Sequence, residues 1–72
     1  MSFNEFEITV RKAFGSLINP GHHNVWMDPN RRDGMRYCAK TKTGMFITGN
    51  AISRTISVYK TPNDLYPTVI PV

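Results

Sequence analysis

Turn residues interrupt this chain at short intervals after Asn24, and their spacing limits the elements it can form. The turn signals are Asp28-Pro29-Asn30, Asp33-Gly34, Thr43-Gly44 and Gly49-Asn50. Between them lie short apolar or alternating runs, a pattern typical of antiparallel strands joined by tight turns. The runs are Val25 to Met27, Met35 to Thr41, Met45 to Thr48 and Ile52 to Lys60. They predict a meander of three or four strands.

The N-terminal segment fits two secondary structures. As a helix it has one apolar stripe, formed by Phe3, Phe6, Val10, Phe14 and Leu17. Ser2 and Glu5 have the spacing of a capping box, and Glu7 lies four residues before Arg11. As a strand, residues 6–11 alternate between apolar and polar side chains. We favour the helix from Phe3 to Leu17, because the alternation fails before Leu17 while the stripe continues.

These elements together predict an α+β fold, in which one N-terminal amphipathic helix packs on the antiparallel sheet. Residues 1–60 form the single small domain, and residues 61–72 form an extended Pro-rich tail. Pro62, Pro67 and Pro71 exclude a regular helix in the tail and confine any strand to a sheet edge. Because the tail is also apolar, it is expected to pack either on its own domain or on a neighbouring subunit.

The chain is short, and this limits its core. A domain of 72 residues buries roughly 60% of the surface that its unfolded chain exposes. The single cysteine, Cys38, cannot form an internal disulfide, so self-association into a dimer or another homo-oligomer is the expected additional source of burial. A lone thiol fits a reducing, cytoplasmic compartment. No apolar run approaches the ~20 residues that span a membrane, so no membrane partner is expected.

Basic residues are concentrated in the middle of a chain whose formal net charge is +4. Five of the nine fall within residues 31–44, where Asp33 is the single acid; they are Arg31, Arg32, Arg36, Lys40 and Lys42. Strand alternation places Arg36, Cys38, Lys40 and, if the strand continues, Lys42 on one face, and Met35, Tyr37 and Ala39 on the other. Such a face binds a polyanion, or it is the solvated side of a strand that is protected from aggregation by its charge.

Three further residues are candidates for the same surface. Trp26, Tyr37 and Phe46 lie close in sequence to the cations, and exposed aromatic rings beside cations can stack on unpaired bases. Of these three, Trp26 and Tyr37 are taken as candidate contacts. Arg54 interrupts an apolar file, so it either reaches outward to extend the basic surface or pairs with an acid. Its possible acidic partners are Glu5, Glu7 and Asp64.

No catalytic residue, metal site or cofactor is predicted, and we do not expect an enzyme. Adjacent His22 and His23 point apart in an extended chain and lack a second ligand pair at helical spacing. Cys38 has no base placed beside it by sequence. The glycines at positions 44 and 49 do not fit the spacing of a phosphate-binding loop.

The sequence is consistent with two classes of function. The first is a small basic nucleic-acid-binding or nucleic-acid-associated regulatory protein, in which a cationic β-hairpin face contacts the phosphate backbone of DNA or RNA. The alternative is a protein-interaction module, a small adaptor or inhibitor such as viruses and mobile elements produce, that docks on an acidic surface of a partner protein. The two functions use the same residues and differ in salt-dependent binding of oligonucleotides.

Overall fold

One helix and one antiparallel sheet make up the fold in the computed structural model, which describes residues 1–20 and 24–72. The helix α1 spans Phe3–Phe14 and is followed by a single 3₁₀ turn, Gly15–Leu17. The strands are β1 (Val25–Met27), β2 (Tyr37–Lys40), β3 (Phe46–Asn50), β4 (Thr55–Tyr59) and β5 (Thr68–Pro71). They lie in sequence order across the sheet, and every neighbouring pair is antiparallel. The α+β prediction is therefore confirmed.

Local hydrogen bonds explain why the N-terminal segment is a helix. The Ser2 side chain accepts a hydrogen bond from the Glu5 backbone N–H at 3.1 Å, and the Ser2 N–H donates back to the Glu5 carboxylate at 3.4 Å. This reciprocal capping box satisfies two N–H groups that the first helical turn leaves without partners. Gly15, with φ of 50°, ends α1 in a conformation that a side chain would strain.

The helix approaches the sheet closely because one strand position lacks a side chain. Phe6 and Val10 point from α1 into the core and are fully buried. The Phe6 ring lies against Gly49 on β3, where an added Cβ would come within 2.5 Å of Phe6 Cδ1. The remaining buried apolar core comes mostly from the sheet: Ile18, Val25, Ala39, Ile47, Ile56 and Val58.

The prediction of three or four strands is wrong, because part of the C-terminal segment adds a fifth. β5 pairs with β4 in a register that places Pro71 opposite Thr55. The Val72 N–H donates to the Arg54 carbonyl at 2.9 Å. The backbone N–H groups of an antiparallel strand point alternately toward and away from its neighbour. Because the Val72 N–H points toward β4, the backbone nitrogen of Pro71 points away from β4, and proline loses no hydrogen bond of the sheet there. A proline-containing edge strand is thus compatible with regular pairing.

The sheet register separates the side chains into two faces. The face toward α1 carries Val25, Tyr37, Ala39, Ile47, Ile56 and Val58. The opposite face, which we call the open face, carries Trp26, Cys38, Lys40, Phe46, Thr48, Ser57 and Tyr59. Among residues 1–20 and 24–72, no helix has both the length and the apolarity needed to cross a bilayer.

Candidate nucleic-acid interface

Three aromatic rings cross the open face from one strand to another. Trp26 on β1 and Phe46 on β3 have ring centroids 6.1 Å apart, and Phe46 and Tyr59 on β4 have centroids 6.3 Å apart. The interplanar angles are 53° and 47°, so no ring lies flat against its neighbour. All three side chains are only partly buried. We call Trp26, Phe46 and Tyr59 the aromatic row.

Arg31 lies directly over the centre of the aromatic row. Its guanidinium carbon is 5.7 Å from the centroid of the Phe46 ring, which is within the range of a cation–π contact. The Arg31 Nε–H donates to the Met35 carbonyl at 3.0 Å, and this bond fixes the direction of the side chain. Its two terminal NH₂ groups remain for other acceptors, since no carboxylate pairs with them in the described part of the chain.

Lys40 supplies a second cation beside the same ring. It is the last residue of β2 and lies directly opposite Phe46 in the register, so both side chains project to the open face. The Lys40 side chain is exposed. The open face therefore combines three accessible rings with a guanidinium and an ammonium group.

Cys38 lies between these groups but is not accessible. Its side chain is 1% exposed, and burial raises the pKa of the thiol above its usual value. Nearby Arg31 partly opposes this shift of the pKa, whereas Asp28 adds to it. The Cys38 thiol also lies 3.7 Å from the Arg36 carbonyl oxygen in the connection that joins β1 and β2. The thiol is therefore shielded from solvent and inert.

Three of the predicted cations lie apart from the aromatic row. Arg36 precedes β2, and its Nε–H turns back to the Arg31 carbonyl at 3.1 Å, while Nη1 lies 3.7 Å from the Asp33 carboxylate. Arg32 is exposed on the same connection. Lys42 lies in the turn between β2 and β3, where its backbone N–H donates to the Leu17 carbonyl at 2.7 Å. The five cations therefore do not line a single strand face.

Tyr37 and Arg54 lie on the side of the sheet that α1 covers. The Tyr37 ring packs against Phe3 and Phe6 at centroid distances of 5.7 and 5.6 Å, and its hydroxyl donates to the Met1 carbonyl at 3.1 Å. Tyr37 is therefore a packing residue rather than a stacking surface. Arg54 lies in the turn before β4 with φ of 57°, and Nη2 is 3.5 Å from the Glu5 carboxylate. It pairs with an acid and does not extend the open face.

Among the described residues, no acidic side chain forms an ion pair with Arg31 or Lys40. Glu5 and Glu7 are on α1 and pair with Arg54 and Arg11 respectively. Asp64 lies in the connection between β4 and β5, where hydrogen bonds from the Tyr66 and Lys60 backbone N–H groups lower its pKa. The Asp28 carboxylate accepts the Asn30 N–H at 3.0 Å and forms no ion pair with a described residue.

The histidines considered as metal ligands, His22 and His23, lie outside the described residues. Within residues 1–20 and 24–72, no group of three or more His, Cys, Asp or Glu side chains is close enough to hold a metal ion. Comparison with protein families, curated proteins and solved structures gives no match for this chain.

Phe46 and Tyr59 were absent from the predicted site, although both belong to the aromatic row. A signal for Phe46 does exist in the sequence. The turn between β2 and β3 connects Lys40 to Phe46, and a tight hairpin there places those two residues opposite each other. Tyr59 shares its face with the hydroxyl-bearing Thr55 and Ser57, and only the strand register shows that this face is also the one with Phe46.

Proposed function

We propose that this chain is a nucleic-acid-binding protein and that its binding surface is the open face of the sheet. The observation that carries the proposal is the position of the Arg31 guanidinium over Phe46, with Lys40 directly opposite Phe46 in the strand register. Cations can pair with phosphates while neighbouring rings stack on bases, and neither Arg31 nor Lys40 forms an ion pair with a described residue.

Arg31 and Lys40 would contact phosphates in different ways. Arg31 keeps two terminal NH₂ groups in a planar fork, a geometry that matches two oxygens of one phosphate. Lys40 is an exposed ammonium group that acts as a point charge toward the backbone. Ser57, also on the open face, provides a neutral hydroxyl for phosphate oxygens. Arg32 lies in an exposed connection, from which it adds to the long-range attraction.

The proposal places the protein inside a cell and assigns it a regulatory or accessory role. A lone buried thiol is typical of reducing compartments, where disulfides do not persist. The binding surface carries no acid–base pair with the geometry of a catalytic set in the described residues, and Cys38 is shielded from solvent. Binding without chemistry is the function that these groups support.

Replacing Lys40 by alanine tests the proposal through salt dependence. We expect the slope of log K against log salt for a mixed-sequence oligonucleotide to fall by about 1, because one phosphate contact is lost. The measurement is fluorescence anisotropy of a labelled oligonucleotide between about 50 and 200 mM salt. Lys12→Ala is the matched control, since Lys12 is an exposed lysine on α1 and its removal changes the net charge equally.

The outcomes separate nucleic acid from the rival class of partner. Equal slopes for Lys40→Ala and Lys12→Ala would mean that only overall charge matters and would contradict an interface on the open face. No binding by the unaltered protein at about 50 mM salt would overturn the proposal itself. That second result would favour an acidic protein surface as the partner.

A further inference from the structure

The aromatic row runs across the strands, and we infer that the open face takes a single-stranded nucleic acid with unpaired bases. This inference rests on the proposed function and adds the class of ligand. Trp26, Phe46 and Tyr59 come from β1, β3 and β4. The row therefore crosses three strand spacings of about 4.8 Å each. A single-stranded nucleic acid that lies along the row would meet the three rings in succession.

The tilt between the rings leaves surface for bases. Rings that stack in parallel use their faces on each other, whereas the tilts of 53° and 47° leave part of each ring face uncovered by its neighbour. The Arg31 guanidinium above Phe46 is itself planar and stacks on bases as aromatic rings do. Unpaired bases can thus stack on the outer rings, Trp26 and Tyr59, and on the guanidinium that covers the centre of the row.

The width of the sheet argues against a duplex as the ligand. Five strands span four spacings, or about 19 Å, whereas the major groove of B-DNA is about 12 Å wide and accepts a helix or a two-stranded ribbon. A duplex resting on the open face would present phosphates to Arg31 and Lys40. Its bases would stay stacked inside the helix, out of reach of the aromatic row.

The test compares one oligonucleotide as a single strand and as a duplex with its complement, using the emission of the single tryptophan, Trp26. We expect the single strand to bind about tenfold more tightly than the duplex, since stacking on the row is available only to unpaired bases. Trp26 emission should change at saturation with the single strand, because a stacked base lies against the indole. It should change much less with the duplex.

Substitutions at Tyr59 show whether the preference comes from stacking. Tyr59→Leu should lower the affinity for the single strand about fivefold and leave the affinity for the duplex nearly unchanged. Tyr59→Phe keeps the ring and should retain the preference. These affinities are measured by anisotropy of the labelled oligonucleotide, so they do not depend on tryptophan emission. Circular dichroism spectra identical to that of the unaltered protein verify that each variant is folded.

The results of these titrations separate a failure of the inference from a failure of the proposed function. Equal affinity for single strand and duplex, or a saturated single-strand complex with unchanged Trp26 emission, would overturn the inference while leaving nucleic-acid binding in place. Binding to neither ligand would overturn the proposed function together with the inference. A preference that survives Tyr59→Leu unchanged would also contradict a ligand that stacks along the row.

Discussion

Replacing Phe46 by leucine is expected to weaken binding of a single-stranded oligonucleotide by about tenfold or more, since stacking contributes about 1–3 kcal/mol per base. Phe46 is the middle ring of the aromatic row and the ring beneath Arg31. Leucine retains an apolar side chain but has no ring face, so the substitution removes the cation–π contact that positions the Arg31 guanidinium, on which a base can stack, together with the part of the ring that Arg31 leaves uncovered. The measurement is the dissociation constant from anisotropy of a labelled single strand.

The same substitution elsewhere in the chain provides the control. Phe14 ends α1 and packs against the core on the other side of the sheet. Phe14→Leu should therefore leave the affinity unchanged within about twofold, since it touches no group of the proposed interface. Equal affinities for Phe46→Leu and the unaltered protein would show that the ring has no part in binding. Thermal unfolding of both variants separates a loss of affinity from a loss of fold.

Replacing Phe6 by alanine is expected to lower the free energy of unfolding by about 3–5 kcal/mol. Phe6 has no exposed surface, and its ring contacts both Tyr37 and the backbone at Gly49. Alanine would leave a cavity where α1 approaches β3. Because small domains have a total stability of about 5–15 kcal/mol, and this chain has a thin core, the loss is a large fraction of the whole.

Urea unfolding followed by circular dichroism measures this loss of stability. Ile8→Ala is the control within the same helix, because Ile8 is 59% exposed and its truncation should change the stability by about 0.5 kcal/mol or less. A change below about 1 kcal/mol for Phe6→Ala would show that the contact between α1 and the sheet is not the centre of the core. The two stability predictions thus separate burial from helix propensity.

Local signals in the sequence predicted the helix correctly. The capping box at Ser2 and Glu5 and the Glu7–Arg11 pair act within one or two turns, so their spacing alone was sufficient. Strand alternation likewise assigned Tyr37 to the face opposite Cys38 and Lys40. Alternation alone does not show that α1 covers the face with Tyr37, because this depends on the contacts of Phe3 and Phe6 with the Tyr37 ring.

The candidate site was predicted less well because its geometry is non-local. Arg36 stands next to β2 in sequence, yet its guanidinium turns back into the preceding connection. Arg54 pairs with Glu5, which is 49 positions away in the chain. Phe46 and Tyr59 join Trp26 only through the register of four strands. The fifth strand was missed because its one proline, Pro71, lies where the strand makes no hydrogen bond to β4, so pairing is not interrupted.

The central claim is that the open face, rather than the face covered by α1, binds nucleic acid. Its most direct test is an NMR titration of the isotope-labelled protein with an unlabelled single-stranded oligonucleotide. We expect the side-chain N–H signals of Trp26 and Arg31 to shift progressively, while the Arg11 signal, which belongs to a guanidinium bonded to Glu7 on α1, stays in place. Shifts at Arg11 with unmoved Trp26 and Arg31 signals would contradict the account.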